Sequence, residues 1–156
     1  MVRGPNRMKG YLKMPEKTEE VFHGKWYKTG DIGKIDVEGF LHITDRLARF
    51  SKIGGEMVPH VKIEEKLEEI TGEEVEIAVT GVDDEKKGEK LVVLHTETSG
   101  SPQNWIDKLR EQELPKLWIP SPNDVYEVNE IPKLGTGKLD IQAVKEKARE
   151  LERENK

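Results

Sequence analysis

Two regimes of apolar spacing divide this chain. From about residue 47 onward, apolar residues recur at helical or strand intervals. Ile63, Leu67 and Ile70 stand at i, i+4 and i+7 as one helical stripe; Pro59 can open it, because its missing N–H costs nothing in a first turn, and Gly72 ends it. Val75, Ile77 and Val79 alternate as a half-buried strand, whereas "LVVLH" (91 to 95) is a continuous apolar run suited to a strand covered on both faces. The charged turn "DDEKKGE" joins these two, so they are expected to pair. A second helix is expected from Pro102 to about Glu113, with Trp105, Ile106 and Leu109 inward. "DVYEV" reads as a strand. A third helix starts at Asp140 as N-cap, with Ile141, Val144, Ala148 and Leu151 at helical spacing, and "ARELERENK" reads as a frayed helix end.

Before residue 47 the pattern is sparser. Gly, Pro and Lys dominate, and the clearest elements are "GKWYKTGDIGKID" and "GFLHITDR", where Phe40 and the Leu41/Ile43 alternation follow a Glu38-Gly39 turn as a strand. So few large apolar residues would not fold alone, and this stretch is expected to be a piece of a larger body. The expected fold class is α+β. Residues 47–156 form a small mixed sheet with about three helices, preceded by a β-hairpin fragment over 1–46.

Charge and composition narrow the chemistry. Against 26 Lys and Arg stand 31 Asp and Glu, a net charge of -5, which removes the footprint of a general nucleic-acid binder. With no cysteine there is no disulfide, thiolate nucleophile or Cys-ligated zinc. No stretch approaches the ~20 apolar residues of a membrane span, and the N-terminus lacks the apolar core of a signal peptide, so a soluble piece is expected. The histidines His23, His42, His60 and His95 are scattered without paired ligand spacing and are expected at the surface or at strand edges. Glu64 and Glu65 are assigned to a solvated helix face, and Trp105 and Trp118 to the core or a domain interface.

"IPKLGTGKLD" (131 to 140) places a lysine after a Gly-Thr-Gly turn. It is not a Walker-type phosphate loop, because Leu139 stands where Ser or Thr is needed and Pro132 replaces the first glycine. The plain reading is a glycine turn with a solvated lysine. The alternative is a stiff tip, shaped by Pro132, Gly135 and Gly137, that presents Lys138 as a point charge to an anion on another surface.

Together with this stretch, "WYKTGD" (26 to 31) and "DRLARFSKIGGEMVPHVKIEE" (45 to 65) occur in the order of the motifs of the adenylate-forming enzymes, the superfamily of acyl-CoA synthetases, peptide-synthetase adenylation domains and luciferases. "GPNRMKGYL" (4 to 12) resembles a motif just upstream of them. "RFSKIGGEMVPHVKIEE" with "VTGVDDEKKGEKLVVLHTE" most closely resembles the acyl-[acyl-carrier-protein] synthetase parts of bacterial 2-acylglycerophosphoethanolamine acyltransferases. The resemblance implies that residues 1–46 are the last strands of a large N-terminal adenylation domain and 47–156 its C-terminal lid, inactive alone. The implied reaction has two steps: a fatty acid carboxylate attacks the α-phosphate of ATP, used with Mg2+, and then the thiol of an acyl carrier protein or coenzyme A displaces AMP.

By the same resemblance, Lys138 reaches the α-phosphate and carboxylate during adenylation, Asp31 accepts from the ribose hydroxyls, and Arg46 lies near the nucleotide, where a salt bridge is the structural alternative. Ala48 stands at the hinge, where the family commonly has Asp or Lys. Gly55 lets backbone pass close to the pantetheine arm, with a hairpin turn as the competing reading, and Lys52 bridges the domains in one conformation. The resemblance places the Mg2+ ligand outside this chain. It implies a cytoplasmic protein, and allows the parent to associate with the inner membrane and to carry a fused acyltransferase. A rival reading is a non-catalytic docking module for a carrier protein, using the basic residues Lys52, His60 and Lys62.

Overall fold

The computed structural model describes residues 1–98 and 100–155, and the chain forms two compact units, Met1–Ala48 and Arg49–Lys156. In the first unit, helix α1 (Pro15–Val21) opens on a proline, a start signal that the sparse apolar spacing obscured. Two antiparallel hairpins follow: β1 (Phe22–His23) with β2 (Trp26–Tyr27), and β3 (Asp31–Ile35) with β4 (Leu41–Arg46). The β3–β4 turn is shaped by Asp36, whose Oδ1 accepts the N–H groups of Glu38 and Phe40, and by Gly39 at φ +90°. None of the described residues of this unit is buried. Ile35, Val37, Phe40, Leu41 and Ile43 are all exposed.

The second unit contains β5 (Phe50–Ile53), β6 (Glu56–Pro59), α2 (His60–Thr71), β7 (Ile77–Asp84), β8 (Gly88–His95), α3 (Pro102–Arg110), β9 (Val125–Glu127) and α4 (Ile141–Glu154). Its sheet runs β6-β5-β8-β7. Strands β7 and β8 pair antiparallel along their whole length, from Ile77 with His95 to Asp84 with Gly88, while β9 lies parallel to the far end of β8. The class is therefore α+β, a small mixed sheet with three helices, preceded along the chain by hairpins.

Alternation along β8 sends its apolar run to two cores. Leu91 and Val93 join Ile63 and Leu67 of α2 and Trp105, Ile106 and Leu109 of α3. Val92 and Leu94 face Val144 and Ala148 of α4. The double cover corrects the expectation for β7. It is not a half-buried strand starting at Val75; Ala78, Thr80 and Val82 are buried as well, because α4 closes the second face, and Val75 precedes the strand.

Other boundaries shift for local reasons. Pro59 ends β6 in extended conformation and α2 begins at His60. Helix α3 stops at Arg110, just after Leu109, its last buried residue. The "ARELERENK" segment is not a frayed end, since α4 continues to Glu154: Ala148 is buried, Leu151 packs on the same core, and Glu152 accepts from Tyr126 Oη at 2.7 Å. Lys90 lies 2.7 Å from Asp124 and 2.6 Å from Glu152, which joins β8 to the start of β9 and to α4.

Gly81 in β7 is demanded by packing. A Cβ there would stand 1.8 Å from Ser51 Oγ and 2.9 Å from Ser51 Cβ. Gly81→Ala is expected to destabilise this unit by about 1–3 kcal/mol in urea titrations, the usual scale of overpacking. Adding Ser51→Gly should recover part of that loss, a coupling that additive effects would not show.

Candidate active site

Lys138 rides on a small hairpin. Leu134 N–H donates to the Lys138 carbonyl at 2.7 Å, Gly137 N–H to the Leu134 carbonyl at 2.8 Å, and Asp140 N–H to the Pro132 carbonyl at 2.9 Å. Only Gly137 uses a conformation that favours glycine, at φ +79°, as the last residue of a three-residue loop; Gly135 takes no positive φ. The base is anchored by Ile131, buried in the α4 core, and by Lys133, which lies 2.6 Å from Glu76. Asp140 then caps α4 by accepting from the N–H groups of Gln142 and Ala143. The result is a firm base and an exposed tip. The Lys138 ammonium has no hydrogen-bond or ion-pair partner among the described residues.

The Gly54-Gly55 turn closes the β5–β6 hairpin, with Ile53 opposite Glu56. Both glycines have positive φ, +57° and +92°, as a two-residue hairpin turn of the mirror-image type requires. Space is not the constraint at Gly55, since a Cβ there would meet nothing within 4 Å among the described residues. Lys52 is exposed on β5, and its N–H donates to Glu89 Oε2 at 2.6 Å.

In the first unit the structure brings two of the expected residues together. Asp31 and Arg46 are cross-strand partners, and Arg46 Nε donates to Asp31 Oδ1 at 3.0 Å. Arg46 remains mostly exposed, so this is a surface pair of small energetic value. Oδ2 of Asp31 keeps acceptor capacity for further donors. Ala48 is exposed, inside the 3-10 turn Leu47–Arg49 at the end of the unit.

Several residues depart from the expectation of a solvated surface. Glu64 is buried: it pairs with Arg49, and its Oε1 accepts the Val79 N–H at 2.7 Å. Burial pushes its carboxyl above the usual range, and Arg49 and the Val79 N–H partly offset that. The signal was present in the sequence, because His60, Ile63, Glu64 and Leu67 fall at i, i+3, i+4 and i+7 and so share the buried stripe. His60 and His95 are also buried. His95 Nδ1–H donates to the Thr96 carbonyl at 2.8 Å, and its ring meets Trp105 edge-on at 4.8 Å. With His60 inside, the basic patch proposed for a docking module loses one of its three members.

Ser51 Oγ and His60 Nε2 share a buried hydrogen bond of 2.8 Å. Burial first, then the positive charges of Arg49 and Lys145, lower the His60 pKa from 6.5 to about 3. The unfolded chain therefore takes up a proton near pH 6.5 that the folded chain refuses until about pH 3. Stability from this group is complete above pH 6.5 and falls as pH drops, by up to about 1.4 kcal/mol per pH unit. Glu64, raised by burial, acts in the opposite sense on the acid side. The difference between the protein and its His60→Gln variant isolates the histidine: urea midpoints measured from pH 7.5 to 5 should fall more steeply with His60 present.

Among the described residues no group of three or more His, Asp or Glu comes together that could hold a metal ion, and no helix is long and apolar enough to cross a membrane.

The sheet and helices of the second unit have the fold of the C-terminal domain of adenylate-forming enzymes. Residues 62–138 match the AMP-binding enzyme C-terminal domain, and this part of the chain belongs to that family. It is 38% identical over 148 residues to the 2-succinylbenzoate–CoA ligase of Bacillus pumilus, covering 94% of this chain and 30% of the ligase. Among solved structures it is similar to ATP-bound MatB from Rhodopseudomonas palustris, at TM-score 0.75 and 30% identity over 96% of this chain and 30% of that one. It is also similar to the o-succinylbenzoate CoA synthetase of Bacillus subtilis in complex with its acyl-adenylate intermediate, at TM-score 0.69 and 30% identity over 92% and 29%. The chain thus spans about a third of the length of the relatives it matches. The Bacillus pumilus and Bacillus subtilis relatives are named as a CoA ligase and a CoA synthetase, and neither is named as an acyl-carrier-protein synthetase.

Proposed function

We propose that this chain is the C-terminal lid, with the last strands of the large domain, of an ATP-dependent acid–thiol ligase. The observation that carries this reading is the unpartnered Lys138 ammonium at the tip of an anchored hairpin, in a domain of this family. In the first step a carboxylate oxygen attacks the α-phosphorus of ATP, the bond to pyrophosphate breaks, and acyl-adenylate forms. The Lys138 ammonium offsets the charge that gathers between two anions that otherwise repel. Asp31 accepts from the ribose hydroxyls, and Arg46, already bonded to Asp31, holds that carboxylate in place. In the second step a thiol attacks the acyl carbonyl and AMP leaves, with the β5–β6 turn at Gly55 beside the incoming arm and Lys52 next to it. Ala48, at the division between the two units, is the pivot between these steps. Mg2+ is held by residues outside this chain.

The many exposed apolar side chains of β3 and β4 support the assignment of the first unit to a larger domain, and the 156-residue chain alone does not activate acids. The thiol donor is coenzyme A, by likeness to the relatives named for it; a carrier protein is the alternative that the resemblance of residues 49–65 and 79–97 to acyl-carrier-protein synthetases suggests, and the acid is a fatty acid or another small carboxylate. The test is carboxylate-dependent exchange of pyrophosphate into ATP by the full-length protein, followed by thioester assays with coenzyme A and with a carrier protein carrying pantetheine. Absence of exchange across aliphatic and aromatic acids would overturn the reading. A thioester formed on the carrier alone would replace coenzyme A as donor.

A further inference from the structure

Strand β5 is joined to the sheet by little backbone. Its register with β8 is a single pair, Ile53 with Gly88, beside which Gly54 N–H donates to the Lys87 carbonyl at 2.9 Å. Two residues before Gly54, the ladder is replaced by a side chain: the Lys52 N–H donates to Glu89 Oε2 at 2.6 Å. The same carboxylate faces α4, where Lys145 Nζ stands 3.4 Å from Glu89 Oε1. Gly81 keeps the place open, since a Cβ there would lie 3.3 Å from Glu89 Oε1. A two-stranded hairpin is marginal by itself, so its attitude depends on how it is attached. A charge-assisted hydrogen bond is the stronger kind of attachment.

We propose that Glu89 is a positioning residue for thiol transfer. Its carboxylate stands in for missing ladder bonds and holds the β5–β6 hairpin, and with it the Gly54-Gly55 tip, at a fixed angle to the sheet. Through Lys145 it refers that tip to α4, the helix that follows the Lys138 hairpin, so one group sets the spacing of both proposed edges. The inference rests on the reading of the β5–β6 hairpin as the thiol edge.

Three substitutions separate reach from charge. Glu89→Gln keeps an acceptor at the same distance, Glu89→Asp keeps the charge but withdraws it by one methylene, and Glu89→Ala removes both. Amide hydrogen exchange resolved by NMR should show the Lys52 N–H protected in the protein and in Glu89→Gln, and exchanging about tenfold faster or more in the other two, the scale set by loss of a hydrogen bond to a charged group. In the full-length protein, Glu89→Asp and Glu89→Ala should lower the rate of thioester formation from supplied acyl-adenylate while adenylation persists, and Glu89→Gln should restore it. Unchanged exchange at Lys52 in Glu89→Asp, or equal loss of both half-reactions in Glu89→Asp and Glu89→Gln, would overturn the proposal. If Glu89→Ala does not fold, the Asp and Gln pair decides. The hairpin assignment is tested apart from this by Gly55→Leu. Thiol transfer blocked in Gly55→Leu but intact in Glu89→Asp sinks the positioning role alone, whereas transfer intact in Gly55→Leu sinks the thiol-edge reading.

Discussion

Lys138→Ala in the full-length protein is expected to slow acyl-adenylate formation by roughly 10²–10³-fold, the usual effect of removing one group that stabilises transition-state charge. Thioester formation from supplied acyl-adenylate should persist, because the lysine has no task once pyrophosphate has left. The structure makes this a clean experiment. The Lys138 side chain is exposed and bonded to nothing among the described residues, and its one hydrogen bond is made by the backbone carbonyl, so the substitution removes no ion pair. Thermal stability should be unchanged, and a loss of stability would point to a structural role. Loss of the two half-reactions in equal measure would count against the assigned chemistry. Lys138→Arg is an instructive companion: it keeps the charge but replaces a compact ammonium by a wider planar group, so partial recovery is expected.

Gly55→Leu should give the mirror result, with adenylation kept and thiol transfer lost. Two effects must be told apart. Gly55 sits at φ +92°, so any side chain strains the turn whatever the space around it. A Cβ at Gly55 would meet nothing within 4 Å among the described residues, so the position is open to a partner group or an incoming ligand. Gly54→Asn supplies the control: Gly54 has φ +57°, where asparagine is tolerated better than other residues, and it alters the same turn without adding a large group at position 55. Thiol transfer should fall by about 10²-fold, the scale of a misplacement of the reacting group of about 1 Å, in Gly55→Leu and stay near normal in Gly54→Asn. Equal losses in both would assign the effect to turn strain.

Much of the second unit was legible because local chemistry and tertiary packing agree there. Ser101 and Asp140 cap α3 and α4 through their own side chains, Gly72 ends α2 at φ +94°, and the apolar run of β8 is divided between two cores as its continuity implied. The order of the motifs points to Lys138, Gly55, Asp31 and Arg46 by resemblance alone. Their surroundings were less legible. That Asp31 and Arg46 are bonded to each other follows from the β3–β4 register, and a bulge between Ile32 and Gly33 sets that register.

Charged residues inside the unit were read wrongly or missed for one physical reason. A carboxylate is placed at the surface by default because of its hydration, and only a partner supplied from elsewhere in the chain changes that balance. Glu64 is buried because Arg49 and the Val79 N–H come to it from 15 residues away in either direction. Glu89 looked like part of a charged turn, yet the Lys52 N–H, 37 residues earlier, reaches its carboxylate. His60 is internal because Ser51, for which Gly81 leaves room, meets it across the hairpin, and it is held neutral by burial and by the charges of Arg49 and Lys145. Elements, caps, turns and the lysine tip follow from interactions within a few residues, which local spacing encodes. Partners for buried polar groups come from distant strands, so they exist only once the sheet has brought those strands side by side.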